Sequence, residues 1–157
     1  MGQTTFSGPV RSERGFTAVG STSVVEITAE TTLTYADHVG RIIEVNDADG
    51  AVTLPTITSD TIGAKYTIFV GTTATDLDVQ TDGTDKFSGN LMLSAAATSQ
   101  ARGFAPAATN DVITMNGTTT GGLAGSMIKV TAIGLAEYLV EGVLLGSGTL
   151  ATPFADA

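Results

Sequence analysis

A single histidine, His38, stands beside Asp37, and it is the first place to look for acid–base or nucleophilic chemistry. A hydrolytic triad joins a serine nucleophile, a histidine base and an acid that orients the ring. The chain has no G-x-S-x-G turn to present such a serine, so His38 would have to fill several roles alone. It reads instead as a polar residue in the turn before "GRIIEV". Acidic pairs occur at Asp47/Asp49, Asp76/Asp78 and Asp82/Asp85. Two carboxylates serve glycoside hydrolysis when they flank a cleft, and sequence spacing does not place any of these across one. "NDADG" offers Asp47, Asp49 and Gly50 toward a calcium loop, without the later glutamate or flanking helices such a loop needs. Asp-Gly is a turn former in its own right. "TTTGGLAGS" lacks the lysine of a phosphate-cradling loop and leads into a strand where a helix is required. Asn116-Gly117-Thr118 is a formal glycosylation acceptor, relevant only on a eukaryotic secretory route. The expectation is a non-enzymatic protein with no catalytic residue, no metal and no cofactor.

The elements that would carry these residues are strands. Threonine is the commonest residue, glycine numbers 19, and charged residues make up 15%. β-Branched threonine suits a pleated surface, and strong helix formers are scarce. Val25 and Ile27, later Leu33 and Tyr35, and then Ile43 and Val45 alternate with polar neighbours, the period of half-buried strands. "DADG" ends in Asp-Gly, a hairpin or bulge signal, before the strand of Val52 and Leu54 that Pro55 closes. "GAKYTIFVG" is the clearest strand, with Tyr66, Ile68 and Val70 on one face. Leu77 and Val79 repeat the pattern and run into a second Asp-Gly. "KFSGNLMLSAAATSQARGF" reads as a loop or a short strand pair. "NDVITMNGTTTGGLAGSMIKVTAIGLAEYLVEGVL" predicts a terminal meander, with Ile128, Val130 and Ala132 on one strand face and Tyr138 and Val140 on the next after a turn at "GLAE". The fold class is therefore all-β, a single β-sandwich or barrel-like domain. Residues 1–20 form an extended arm, 21–146 the body and 147–157 an irregular tail.

Composition narrows the partners. Sixteen acidic residues face seven Lys and Arg, for a formal charge of -9, which disfavours nucleic acid. Cysteine is absent, which suits assembly in a reducing cytoplasm. No signal peptide is expected, and the longest apolar runs, such as "VLL" at 143–145, are too short to span a membrane.

The order of these motifs resembles small structural proteins of tailed bacteriophages. The resemblance rests on Gly40 with Ile42, on Gly50 to Pro55, Gly63 to Val70 and Asp85 to Gly89, and on Tyr138 to Gly142, where the family often has Trp in place of Tyr138. The opening "MGQTTFSGPVRSERGF" is similar to the start of virion proteins of marine and cyanobacterial phages. Membership implies a capsid decoration (cement) protein or a fibre-type protein of the virion. It also implies a homotrimer on the outer capsid surface, with the major capsid protein as partner. On that reading the arm clamps the shell. Phe6, Pro9, Val10 and Phe16 would be apolar anchors, and Arg11 and Arg14 would pair with acidic groups. Pro153 and Phe154 would form a second, C-terminal clasp on a neighbouring subunit. The alternative is a fibre or receptor-binding module for a cell-surface glycan, against which stands the 6% aromatic content without tryptophan.

Overall fold

A computed structural model describes residues 23–157. The first six strands alternate between two sheets. β1 (Val24–Ile27), β3 (Ile42–Val45) and β5 (Lys65–Val70) are neighbours in the larger sheet. β2 (Thr31–Thr32), β4 (Ala51–Thr53) and β6 (Leu77–Gln80) are neighbours in the smaller. Each of these neighbouring pairs is parallel. The chain thus winds through three stacked coils, crossing from the larger sheet to the smaller and back.

The remaining strands close the two sheets. β7 (Lys86–Ala95) and β8 (Gln100–Phe104) form an antiparallel pair joined through a 3-10 turn at Ala96–Thr98. β9 (Val112–Met115) crosses to the smaller sheet, β10 (Met127–Gly134) and β11 (Glu137–Leu145) return to the larger, and β12 (Phe154–Ala155) ends on the smaller. The larger sheet runs β1-β3-β5-β10-β11-β7-β8 and the smaller β12-β9-β6-β4-β2. The all-β, sandwich-like class read from the sequence is the one observed.

Alternation explains the core. Tyr66, Ile68 and Val70 point inward from β5, and Ile43, Ile68 and Ile128 lie in register across β3, β5 and β10, all fully buried. The smaller sheet answers with Val52, Val79 and Ile113, in register across β4, β6 and β9. Tyr138 ties the layers together. Its hydroxyl donates to the Pro55 carbonyl at 2.5 Å, linking β11 to the end of β4.

Three local expectations are corrected. The Asp-Gly segments do not make hairpins. Asp49-Gly50 joins β3 to β4 and Asp82-Gly83 joins β6 to β7, and each joined pair lies in different sheets. These turns are corners, and the one after β3 stacks between the chain ends of β1 and β5: Asn46 N–H donates to Ile27 O at 2.7 Å, and Gly71 N–H to Val45 O at 2.9 Å. At Gly50 a Cβ would sit 2.0 Å from an Asp47 carboxylate oxygen, so a larger residue there requires the Asp47 side chain to swing away. The terminal meander shrinks to the β10–β11 hairpin, since β9 belongs to the other sheet. Finally, residues 147–157 are not an irregular appendage. Leu150 and Phe154 are core residues, and β12 pairs antiparallel with β9.

Candidate docking surface

The residues that could do chemistry are occupied by the fold. His38 ends a one-turn helix, α1 (Tyr35–His38), and is buried. Its Nδ1 accepts the Thr34 N–H at 2.9 Å, so the ring caps its own turn. Asp47 Oδ1 faces the Asp49 N–H at 3.5 Å within its corner. Asp85 is buried and its Oδ2 accepts the Ile57 N–H at 3.0 Å, joining the β6–β7 corner to the segment after β4. Asp78 lies half-buried on the smaller sheet, where burial raises its carboxyl against a lowering hydrogen bond from Thr114. Among the described residues, no three His, Asp or Glu side chains cluster to hold a metal. The glycines of "TTTGGLAGS" are filled by the protein itself. A Cβ on Gly121 would lie 2.6 Å from Leu144 Cβ, and one on Gly122 would lie 2.7 Å from Met115 Cβ. Asn116 closes this loop, its Oδ1 accepting the N–H groups of Thr118 and Thr120 at 2.9 and 3.1 Å.

Asp82 shows what its corner is worth. Burial pushes its carboxyl up, but hydroxyl donors from Thr56 (2.5 Å) and Thr84 (2.6 Å) and the N–H groups of Thr84 and Asp85 outweigh that and hold it at about 2. A carboxylate held low contributes stability above its unfolded value of 3.8 and loses it as pH falls toward 2. Asp85 acts in the opposite sense, because burial raises it most, with the Asp82 charge adding to this against the Ile57 hydrogen bond. Asp82→Asn isolates the first effect. Since the side chain is exposed, solvent screening reduces the expected loss at pH 7 to about 1 kcal/mol, and the gap to wild type closes between pH 4 and 2. Urea titrations at several pH values measure it.

What remains open is surface. The arm residues Phe6, Pro9, Val10, Arg11, Arg14 and Phe16 lie outside the described residues. Among the described residues β1 is an edge strand of the larger sheet and β2 an edge of the smaller, so the first coil has no described strand on its outer side in either sheet. Pro153 and Phe154 do not reach outward as a clasp. Pro153 is buried, Phe154 is 7% exposed, and Thr114 N–H donates to the Pro153 carbonyl at 2.8 Å. The tail clasps its own chain because β9 would otherwise be the bare edge of the smaller sheet.

The outward faces of the two sheets differ. The smaller is polar, with Thr32, Thr53 and Gln80 in register and Gln80 Nε2 donating to Thr53 Oγ1 at 3.1 Å. The larger carries an apolar row: Phe69, Met127, Val143 and Met92 stand in register on β5, β10, β11 and β7. Phe69 is half-buried, and the other three are 37–45% exposed. Val24 and Ile42 extend the apolar area toward the β1 edge, where a shallow hollow of about 300 Å³ forms between them, Phe69 and Met127. Composition hid this row, because each member alternates with an inward core residue and so looks like part of the same strand pattern.

No protein-family model, curated protein or solved structure matches the chain.

Proposed function

We propose that this protein is a non-enzymatic structural protein of a bacteriophage virion, a head decoration protein that sits outside the capsid and holds major capsid protein subunits together. The resemblance described above suggests the class. The observation that carries the reading is the first coil: residues 1–20 precede β1 in the chain, and among the described residues β1 and β2 are edges of the two sheets. An extended capsid segment can add to such an edge through main-chain hydrogen bonds, while side-chain anchors give specificity. The acidic body then faces solvent, where its charge favours solubility.

Cosedimentation with phage heads tests this. Combined Phe6→Ser and Phe16→Ser, or Arg11→Glu with Arg14→Glu, are expected to weaken binding at least about 10-fold. Undiminished binding removes the arm's role, and a wild-type chain that ignores heads overturns the reading.

A groove of about 640 Å³ favours the second reading, glycan recognition by a fibre module. Lys86, Ser88 and Glu137 line it, with Pro106 and Leu135 as apolar walls. Lys86 is ion-paired to Asp111 at 2.5 Å, which leaves Glu137 and Ser88 as its free polar groups for sugar hydroxyls. Binding on a glycan array that is lost in Glu137→Ala would favour this reading over capsid docking.

A further inference from the structure

We infer that the outward face of the larger sheet is a self-complementary interface that pairs two copies of this chain about a twofold axis lying between β10 and β11, parallel to the strands. The inference is independent of the capsid reading. It rests on the order of side chains across four strands. In one row, β5, β10, β11 and β7 present Phe69, Met127, Val143 and Met92; in the next they present Thr67, Lys129, Glu141 and Asn90. Lys129 and Glu141 are both exposed. Among the described residues, the ion pair within reach of direct contact is Lys86–Asp111, so Lys129 and Glu141 remain available to a partner.

A twofold axis midway between β10 and β11 exchanges each strand with its mirror position. Lys129 then faces the partner's Glu141, and Glu141 the partner's Lys129. Met127 meets the partner's Val143, Phe69 meets the partner's Met92, and Thr67 meets the partner's Asn90. Across these four strands every apolar side chain in the row finds an apolar one, and Lys129 and Glu141 each find an opposite charge, while Glu44, next in the row on β3, falls opposite Gly103 on β8.

Neighbouring arrangements fail. An axis over β10 sets Lys129 against its own copy, and an axis over β11 does the same to Glu141. An axis running across the strands at the height of Lys129 and Glu141 sets both against themselves. Like charges brought face to face disfavour a register, so among these arrangements the two charges favour the axis between β10 and β11, and the apolar row supplies the area. The axis overlaps the six strands from β3 to β8, which at about 4.8 Å apart span roughly 24 Å, toward the about 800 Å² per partner of a stable interface. Sheets packed face to face cross at about -30°, which a twofold along the strands permits. The β1 edge stays uncovered. This symmetry differs from the threefold that the phage resemblance implies.

Sedimentation velocity and light scattering of the full chain decide the matter. The wild type is expected at twice its 15.9 kDa chain mass. Lys129→Glu and Glu141→Lys each place like charges at both symmetric contacts and are expected to raise the dissociation constant at least about 30-fold. The double variant K129E/E141K restores opposition and should return within about 3-fold of wild type. Both positions are exposed, and circular dichroism confirms that each variant folds. A wild type that stays monomeric to about 200 μM, a trimer, or a double variant that does not recover overturns the inference.

Discussion

Tyr138→Ala is expected to cost about 4 kcal/mol of folding stability, and Tyr138→Phe about 1–2 kcal/mol, in urea denaturation followed by circular dichroism. The ring is 1% exposed and its hydroxyl donates to the Pro55 carbonyl. Alanine removes the packing and opens a cavity between the sheets. Phenylalanine keeps the packing and leaves the Pro55 carbonyl without its donor. The phenol must be protonated to donate. Burial, with Tyr66, Asp85 and Asp82 nearby, pushes its ionisation far above the ordinary 10.0. Tyr66 is raised to about 12, by burial first and then by Tyr35. The unfolded chain ionises these groups near 10 while the folded chain does not, so their contribution is complete below pH 10 and is lost as pH rises through the folded values. Alkaline unfolding should therefore be steep in the wild type and shallower in Tyr138→Phe. A stability unchanged in both variants would show that the Tyr138–Pro55 link does not hold the layers.

Phe154→Ala is expected to cost about 3–4 kcal/mol, and removal of residues 150–157 to prevent folding altogether. Leu150 and Phe154 both sit in the core, and β12 supplies the hydrogen bonds that β9 lacks on that side. Arg102 Nη1 donates to the Leu150 carbonyl at 3.0 Å while its guanidinium stacks over Phe104 at 5.1 Å. Asp111 is held below the usual carboxylate value; burial alone would raise it, but Lys86 and the Ala157 N–H outweigh that. Were the tail a clasp for another subunit, the isolated chain would lose no stability when it is cut. Thermal unfolding of the isolated chain separates the two roles.

The sequence announces its strands but not their partners. "GAKYTIFVG" and the runs around Val130 and Val140 alternate cleanly, and each is a strand with the inward face read from the pattern. Period-2 alternation is the same in parallel and antiparallel sheets, so nothing in "VNDADGAVTL" tells a hairpin from a corner between sheets. The Asp-Gly signal marked a change of direction correctly, and the choice between the two lies in contacts distant along the chain. Phe154 was misplaced for a related reason. It is flanked by Thr152 and Pro153 on one side and Ala155 and Asp156 on the other, so a two-residue strand carries no period to detect. The candidate dimer face was legible residue by residue, since Lys129 and Glu141 are plainly outward. Their adjacency depends on the β10–β11 register, and that of Phe69 and Met92 on strand neighbours far apart in sequence.

The position of β10 governs when the protein can acquire its shape. β5 lies beside β10 in the finished sheet, yet β6, β7, β8 and β9 all come between them in the chain. A nascent polypeptide emerging from the ribosome can wind its three opening coils and still present the bare side of β5, with no neighbour to receive it. The smaller sheet waits longer still, for Phe154. Such distant pairings make acquisition of the native state slow and largely post-synthetic. Prematurely terminated chains would accordingly collect as insoluble material, and near-complete translation is a precondition for a soluble product.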